Sequence, residues 1–168
     1  AAVAAVLALD WLWEDLGEED RRKTIDAIRE KALLPYRQSV EKQVDWYNGY
    51  YNWNAVINSG CGLAAMVLTE EFPQAEETFQ WAMKGLEKFF DAFGREGGWD
   101  EGTGYWGYAM RYLLLLAEAS SRLRDDQGIY HRRGMDVTGL FPVYFCPRGI
   151  AASFGDAPYA PVHGAYYL

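Results

Sequence analysis

The sequence predicts an all-α fold: helix hairpins packed in two layers as an incomplete α/α toroid, with a short irregular or β stretch towards the C-terminal end. Three observations predict it. Long segments carry apolar residues at spacings of three and four, the period of a helix face. Segments that are apolar nearly all round alternate with amphipathic ones, so inner helices would be covered by outer ones. Breakers stand between the segments, at Gly17, Pro35 and Phe72-Pro73, where the chain would reverse. The hairpins do not repeat one another in sequence, which speaks against a regular solenoid. A closed toroid takes roughly twice as many hairpins, so the ring is expected to be open or partial.

Residues 1–16, AAVAAVLALDWLWEDL, read as a helix that is apolar on almost every side and therefore buried. Gly17 stops it. Glu18, Glu19 and Asp20 then place negative charge where a helix N-terminus favours it. They open an amphipathic helix over about 18–34 with the stripe Ile25, Ile28, Ala32 and Leu33. Pro35 ends that helix, because it has no N–H to donate and its ring crowds the carbonyl four residues back. The aromatic-rich stretch 36–54 reads as a connection. A third, apolar helix over about 55–69 contains Gly60 and Gly62. Each costs about 1 kcal/mol relative to alanine in a helix interior, which a close helix contact would offset.

Phe72-Pro73 breaks the chain, and a fourth helix over about 74–92 carries the stripe Phe79, Ala82, Met83, Leu86 and Phe89/Phe90. A glycine-rich loop leads into a fifth helix over about 104–122. From 125 onward, stretches such as GLFPVYFCP and GIAASFGDA are set off by Gly and Pro and read as loops or short strands. The division is therefore a helical domain over 1–124 and a loop-rich segment over 125–168.

Half of the 168 residues are hydrophobic, enough for one domain with a core. A net charge of −8 argues against nucleic acid or an anionic membrane as the main partner. The first segment has no basic leader and is too short to span a bilayer. It looks like a helix entered part-way along, so the chain is expected to be a piece of a longer protein. Cys61 and Cys146 are too few for a disulfide framework and read as thiols. With His131 and His163 they make no metal-ligand spacing, so no metal or other cofactor is expected. His131-Arg132-Arg133 reads as a surface loop, or as a basic patch for an anionic sugar.

The stretch GGWDEGTGYWGYAMRYLLLL, residues 97–116, concentrates rings at a helix start. Trp46, Trp53, Trp99 and Trp106 all fall near predicted helix starts, where indoles could stack on the apolar C–H faces of sugars; taken singly, each also suits a core. Asn52 and Asn54 suit helix caps. Asp100 and Glu101 suit a solvated turn or an acidic helix start, or else the orienting of a tyrosine or the holding of a sugar hydroxyl.

YYNWNAVINSGCGLAAMVL at 50–68, followed by GGWDEGTGYWGYAMRYLLLLAEA at 97–119, resembles the helical domain of the heparinase II/III-like polysaccharide lyases. ALDWLWEDLGEEDRRKTIDAI resembles that domain's first hairpin, and FPVYFCPRGIAASFGDAPY the approach to the family's β-sandwich. The resemblance implies β-elimination on an acidic, uronic-acid polysaccharide or oligosaccharide. A base removes the C5 proton, a nearby group holds the carboxylate, and an acid protonates the 4-O leaving group. It implies Tyr105 as the catalytic tyrosine and Asn52 or Asn54 as the carboxylate holder, 53 and 51 residues earlier.

Trp53, Trp99, Trp106, Tyr108, Glu101, Arg111 and His163 are the accompanying substrate-binding candidates, and Tyr108 is an alternative base. A tyrosine titrates near pH 10 and needs a cation or hydrogen bonds to act as a base near neutrality. Arg111 is an imperfect candidate for that cation, and His163 is one by region. The resemblance further implies a periplasmic or secreted location. Two rivals stay open. A toroid glycoside hydrolase needs two carboxylates about 5–10 Å apart, which Asp100, Glu101 and Asp45 could supply. The other is a non-catalytic carbohydrate-binding helical domain.

Overall fold

The computed structural model describes residues 2–146, 150–151, 155 and 160–161. The fold is all-α. Among the described residues the helices are α1 (Ala2–Trp11), α2 (Glu18–Ile28), α3 (Leu34–Glu41), α4 (Asp45–Asn48), α5 (Asn52–Val67), α6 (Ala75–Ala92), α7 (Gly102–Arg124) and α8 (Phe141–Phe145). A π-helical turn, Arg29–Leu33, joins α2 to α3, and a 3-10 turn, Thr138–Leu140, leads into α8. Strands β1 (Ile150–Ala151) and β2 (Ala160–Pro161) pair antiparallel, Ile150 opposite Pro161.

Helix α5 is the centre. Twelve of its sixteen residues are buried, so it meets neighbours on every side rather than along one stripe. It packs most extensively against α6 and α7, and also against α1. Its two glycines sit at those contacts. A Cβ on Gly62 would lie 3.1 Å from the Cβ of Ala82 and 3.4 Å from Leu116, and one on Gly60 3.2 Å from Val3. The close approach is what offsets their poor helix propensity. Helix α6 turns Phe79, Ala82, Leu86, Phe89 and Phe90 inward, as its periodicity predicts, and α7 buries Trp106, Met110, Leu113, Leu116 and Ala117.

A buried polar network ties α3, α4 and α6 to α5. Tyr36 donates to Asn58 Oδ1 at 2.8 Å, Asn58 Nδ2 to the Asn54 carbonyl at 2.9 Å, and Asn54 Nδ2 to the carbonyls of Tyr47 and Gly85 at 2.9 and 3.0 Å. Tyr47 completes it by donating to the Trp81 carbonyl at 2.9 Å. A side chain on Gly85 would collide with Asn58 and Tyr47 at 2.6 Å. Burial raises the Tyr36 hydroxyl far above the ordinary tyrosine range, so it keeps the proton it donates to Asn58. Burial likewise pushes the Cys61 thiol up to about 12. Neither cysteine is in a disulfide.

Several expectations are corrected. The first helix stops at Trp11, five residues short of the expected end, and buries only Val6 and Leu9. Trp11 is 73 % exposed, and Leu12 and Trp13 beyond the helix end are also exposed. Pro35 does not end the second helix. The chain passes through a π turn, in which the Leu34 N–H reaches back to the Arg29 carbonyl, and runs on as α3 with Pro35 in its first turn. A wider turn just before a proline accommodates the ring and the missing donor. The expected 36–54 connection therefore holds most of α3 and all of α4. The described part of GLFPVYFCP, residues 139–146, holds a 3-10 turn and a helical turn and no strand.

The 125–146 stretch shares the helical core. Asp125, in left-handed conformation at φ 52°, ends α7 close to the expected boundary. Ile129 and Phe141 are buried, and Arg132 pairs with Glu87 on α6. That ion pair uses one cation of the expected basic patch for holding the loop down, while His131 and Arg133 are exposed. No described helix is long and apolar enough to cross a membrane.

Candidate functional site

The start of α7 is fixed by the loop before it. Trp99 is buried against Phe89 and Phe93, with ring centroids 4.5 and 5.4 Å away. Gly97 stands at φ +71°, and a Cβ there would lie 2.4 Å from the Cα of Thr138. Thr138 donates to the Gly97 carbonyl at 2.9 Å and accepts the Trp106 indole N–H at 2.7 Å. Glycine is thus required twice, by the dihedral and by the contact. Gly97→Ala is expected to lower stability by about 2 kcal/mol or more, read by urea unfolding, because alanine would be strained at this φ and would push the two loops apart.

Glu101 follows as the N-cap of α7, and its carboxylate reaches across to the first turn of α5. Oε2 accepts the Asn52 backbone N–H at 2.6 Å and the Trp99 indole N–H at 3.2 Å, while Oε1 accepts Asn52 Nδ2 at 2.9 Å. The first backbone N–H of α5 lacks an intrahelical partner, and an acidic oxygen supplied from another helix satisfies it. The starts of α5 and α7 are therefore tied together. Gly155, at φ +59°, sits so close to this turn that a Cβ would meet the Asp100 carbonyl oxygen at 2.4 Å.

The predicted site residues separate into two groups. Tyr105, in the first turn and a half of α7, is 38 % exposed, and Trp53 in the first turn of α5 is 59 % exposed. Tyr108 is exposed too, and Tyr105, Tyr108 and Tyr112 lie three and four apart along one face of α7. Lys88 lies 5.6 Å over the ring of exposed Tyr50, next to Tyr51 at the cap of α5.

The other group is interior. Trp99 and Trp106 are core residues, not a sugar platform: each indole N–H is already bonded and each ring packs on phenylalanine. Asn54 is wholly buried and donates to two carbonyls, so its amide is a structural joint and not an available carboxylate holder. Neither asparagine caps α5; Tyr51 holds the cap position, and both asparagines lie inside the first turn. Asn52 is only 4 % exposed, with Nδ2 on Glu101 and Oδ1 unpartnered.

Electrostatics sort the tyrosines. Tyr108 is raised above the ordinary range, first by its hydrogen bond with Tyr112 and then by burial, while Arg111 pulls the other way. Arg111 thus acts electrostatically on Tyr108. Tyr51 is pushed up to about 12, chiefly by its hydrogen bond to Asp45, with Glu101 adding to the effect. Asp45 accepts from the Tyr51 hydroxyl and Glu101 from Asn52, so both carboxylates are hydrogen-bonded within the chain. His163 lies outside the described residues.

Sequence reasoning missed Asn58 and the reach of Glu101 to α5. The usable signal for the first was two asparagines four apart on an otherwise apolar helix, a spacing that puts both on one buried face. Comparison with protein-family models and with curated proteins gives no match.

Proposed function

We propose that this chain is the helical part of a polysaccharide lyase that cleaves a uronic-acid polymer by β-elimination. Tyr105 is the proton-transfer group and Asn52 steadies the substrate carboxylate. One observation carries the proposal: the Glu101 carboxylate joins the first turns of α5 and α7, and Tyr105 and Trp53 protrude from those joined turns. In the reaction Tyr105 takes the proton from C5. Tyr105 does this as the phenolate; the electron pair forms the C4–C5 double bond as the C4–O bond breaks, and the phenol so formed returns its proton to the leaving oxygen. Trp53 offers an apolar face to a sugar ring. An incomplete α/α toroid closed by further chain is the architecture proposed to hold the polymer.

The test is a panel of uronate polymers followed at the near-ultraviolet absorbance of the unsaturated product, run on the complete protein. A rising absorbance with at least one polymer is expected; hydrolysis without it would remove the proposal. Tyr108→Phe is expected to keep turnover within about threefold of the parent, because its hydrogen bond with Tyr112 holds it protonated and unsuited to act as a base.

A second reading is favoured by the burial of Asn52 and Asn54: a carbohydrate-binding helical domain without turnover. Under it, sugar binding maps to Trp53 and the exposed tyrosines, and no polymer in the panel yields the unsaturated product.

A further inference from the structure

We propose that Glu101 is a positioning residue that sets the orientation of the Asn52 amide, and that it is not a substrate ligand. Both of its oxygens are occupied, by two donors of Asn52 and by the Trp99 indole. Three of the roughly four acceptor positions of the carboxylate are thus filled by the chain itself. The Asn52 carboxamide, in contrast, is held at one end only. Its Oδ1 is buried and has no hydrogen-bond partner, so that end does nothing to decide which way round the group sits. Glu101 decides it. Turning the amide over would bring Oδ1 against the Glu101 carboxylate, oxygen facing oxygen, where Nδ2 now donates at 2.9 Å.

The backbone bond from Asn52 N–H to the same carboxylate fixes the helix start from which that side chain springs, so main chain and side chain are registered by one group. Trp99 fixes the carboxylate in turn, and Trp99 is itself locked between Phe89 and Phe93. The chain of support runs from the end of α6 through Trp99 and Glu101 to Asn52. With one Nδ2 hydrogen committed to Glu101, the second is the hydrogen the amide can offer to a uronate carboxylate. This last consequence rests on the lyase proposal; the orientation itself does not.

The test has two parts. In the unaltered protein, one side-chain amide proton of Asn52 is expected to exchange slowly with solvent, and in Glu101→Gln its nuclear magnetic resonance signal moves and exchange speeds up. Exchange at the rate of an exposed amide, or signals unchanged in Glu101→Gln, would overturn the proposal without recourse to activity. On a uronate polymer that is turned over, Glu101→Gln is expected to lower kcat by about 100-fold with KM nearly unchanged, as misplacement of a reacting group does. The double variant Glu101→Gln/Asn52→Ala is then no slower than Asn52→Ala alone. A rise in KM with kcat intact would make Glu101 a substrate ligand, and losses that multiply in the double variant would give it a role independent of Asn52; either overturns the proposal. If no uronate polymer is turned over, the lyase proposal falls, and the amide spectrum alone decides the role of Glu101.

Discussion

Tyr105→Phe is expected to lower turnover of a uronate polymer by about 10³- to 10⁴-fold while leaving sugar binding within a few-fold, because general acid–base work is worth that much and the ring remains. The substitution removes one oxygen from a side chain that stands in the open at the start of α7. It leaves the buried side of that helix, Trp106, Met110 and Leu113, untouched, so the helix content and the unfolding midpoint should not move. Initial rates from product absorbance check the first half and calorimetric titration with an oligouronate checks the second. Retained turnover would take Tyr105 out of the chemistry.

Asn54→Ala is expected to destabilise the protein by about 2–4 kcal/mol. It strands the Tyr47 and Gly85 carbonyls without their donor and opens a void where α4, α5 and α6 meet. Asn54→Asp should do at least as much damage, since it keeps the volume but turns a donor into an oxygen facing two carbonyls. Urea unfolding reads both. A loss under about 0.5 kcal/mol in either variant would show that the network is not a joint. For this reason loss of activity in an Asn54 variant says nothing about catalysis unless stability is measured beside it.

The elements that the sequence made legible are those whose periodicity matched their environment. α5, α6 and α7 run within a few residues of their expected limits, because a central apolar helix, an amphipathic stripe and a leucine-rich stretch each have one packing solution. Gly60 and Gly62 predict a close helix contact, and both sit at one. What was not legible depends on partners far along the chain. Pro35 reads as a stop until a π turn relieves it, and no local pattern announces that turn. Trp99 and Trp106 read as surface as easily as core, because their exposure is settled by Phe89 and Phe93 in one case and Thr138 in the other.

The candidate site shows the same division. The sequence predicts Tyr105 and Trp53 near helix starts, and both are exposed there. The two asparagines, equivalent in sequence, are not equivalent in space. Asn54 is spent on the Tyr47 and Gly85 carbonyls, and Asn52 on a carboxylate 49 residues away. Two positions along a helix is roughly 200° of rotation, so one of the pair turns toward α7 and the other toward α6. Glu101, which the sequence offers as a solvated turn, an acidic helix start or a sugar ligand, links Asn52 to the loop that carries Trp99.

The most direct measurement is a resonance titration of the complete protein with an oligouronate. If the first turns of α5 and α7 form one sugar-binding face, the indole N–H of Trp53 and the ring of Tyr105 shift together and saturate with a single dissociation constant, while the indole signals of Trp99 and Trp106 stay still. Shifts confined to one of the two helix starts, or centred elsewhere on the molecule, would contradict it.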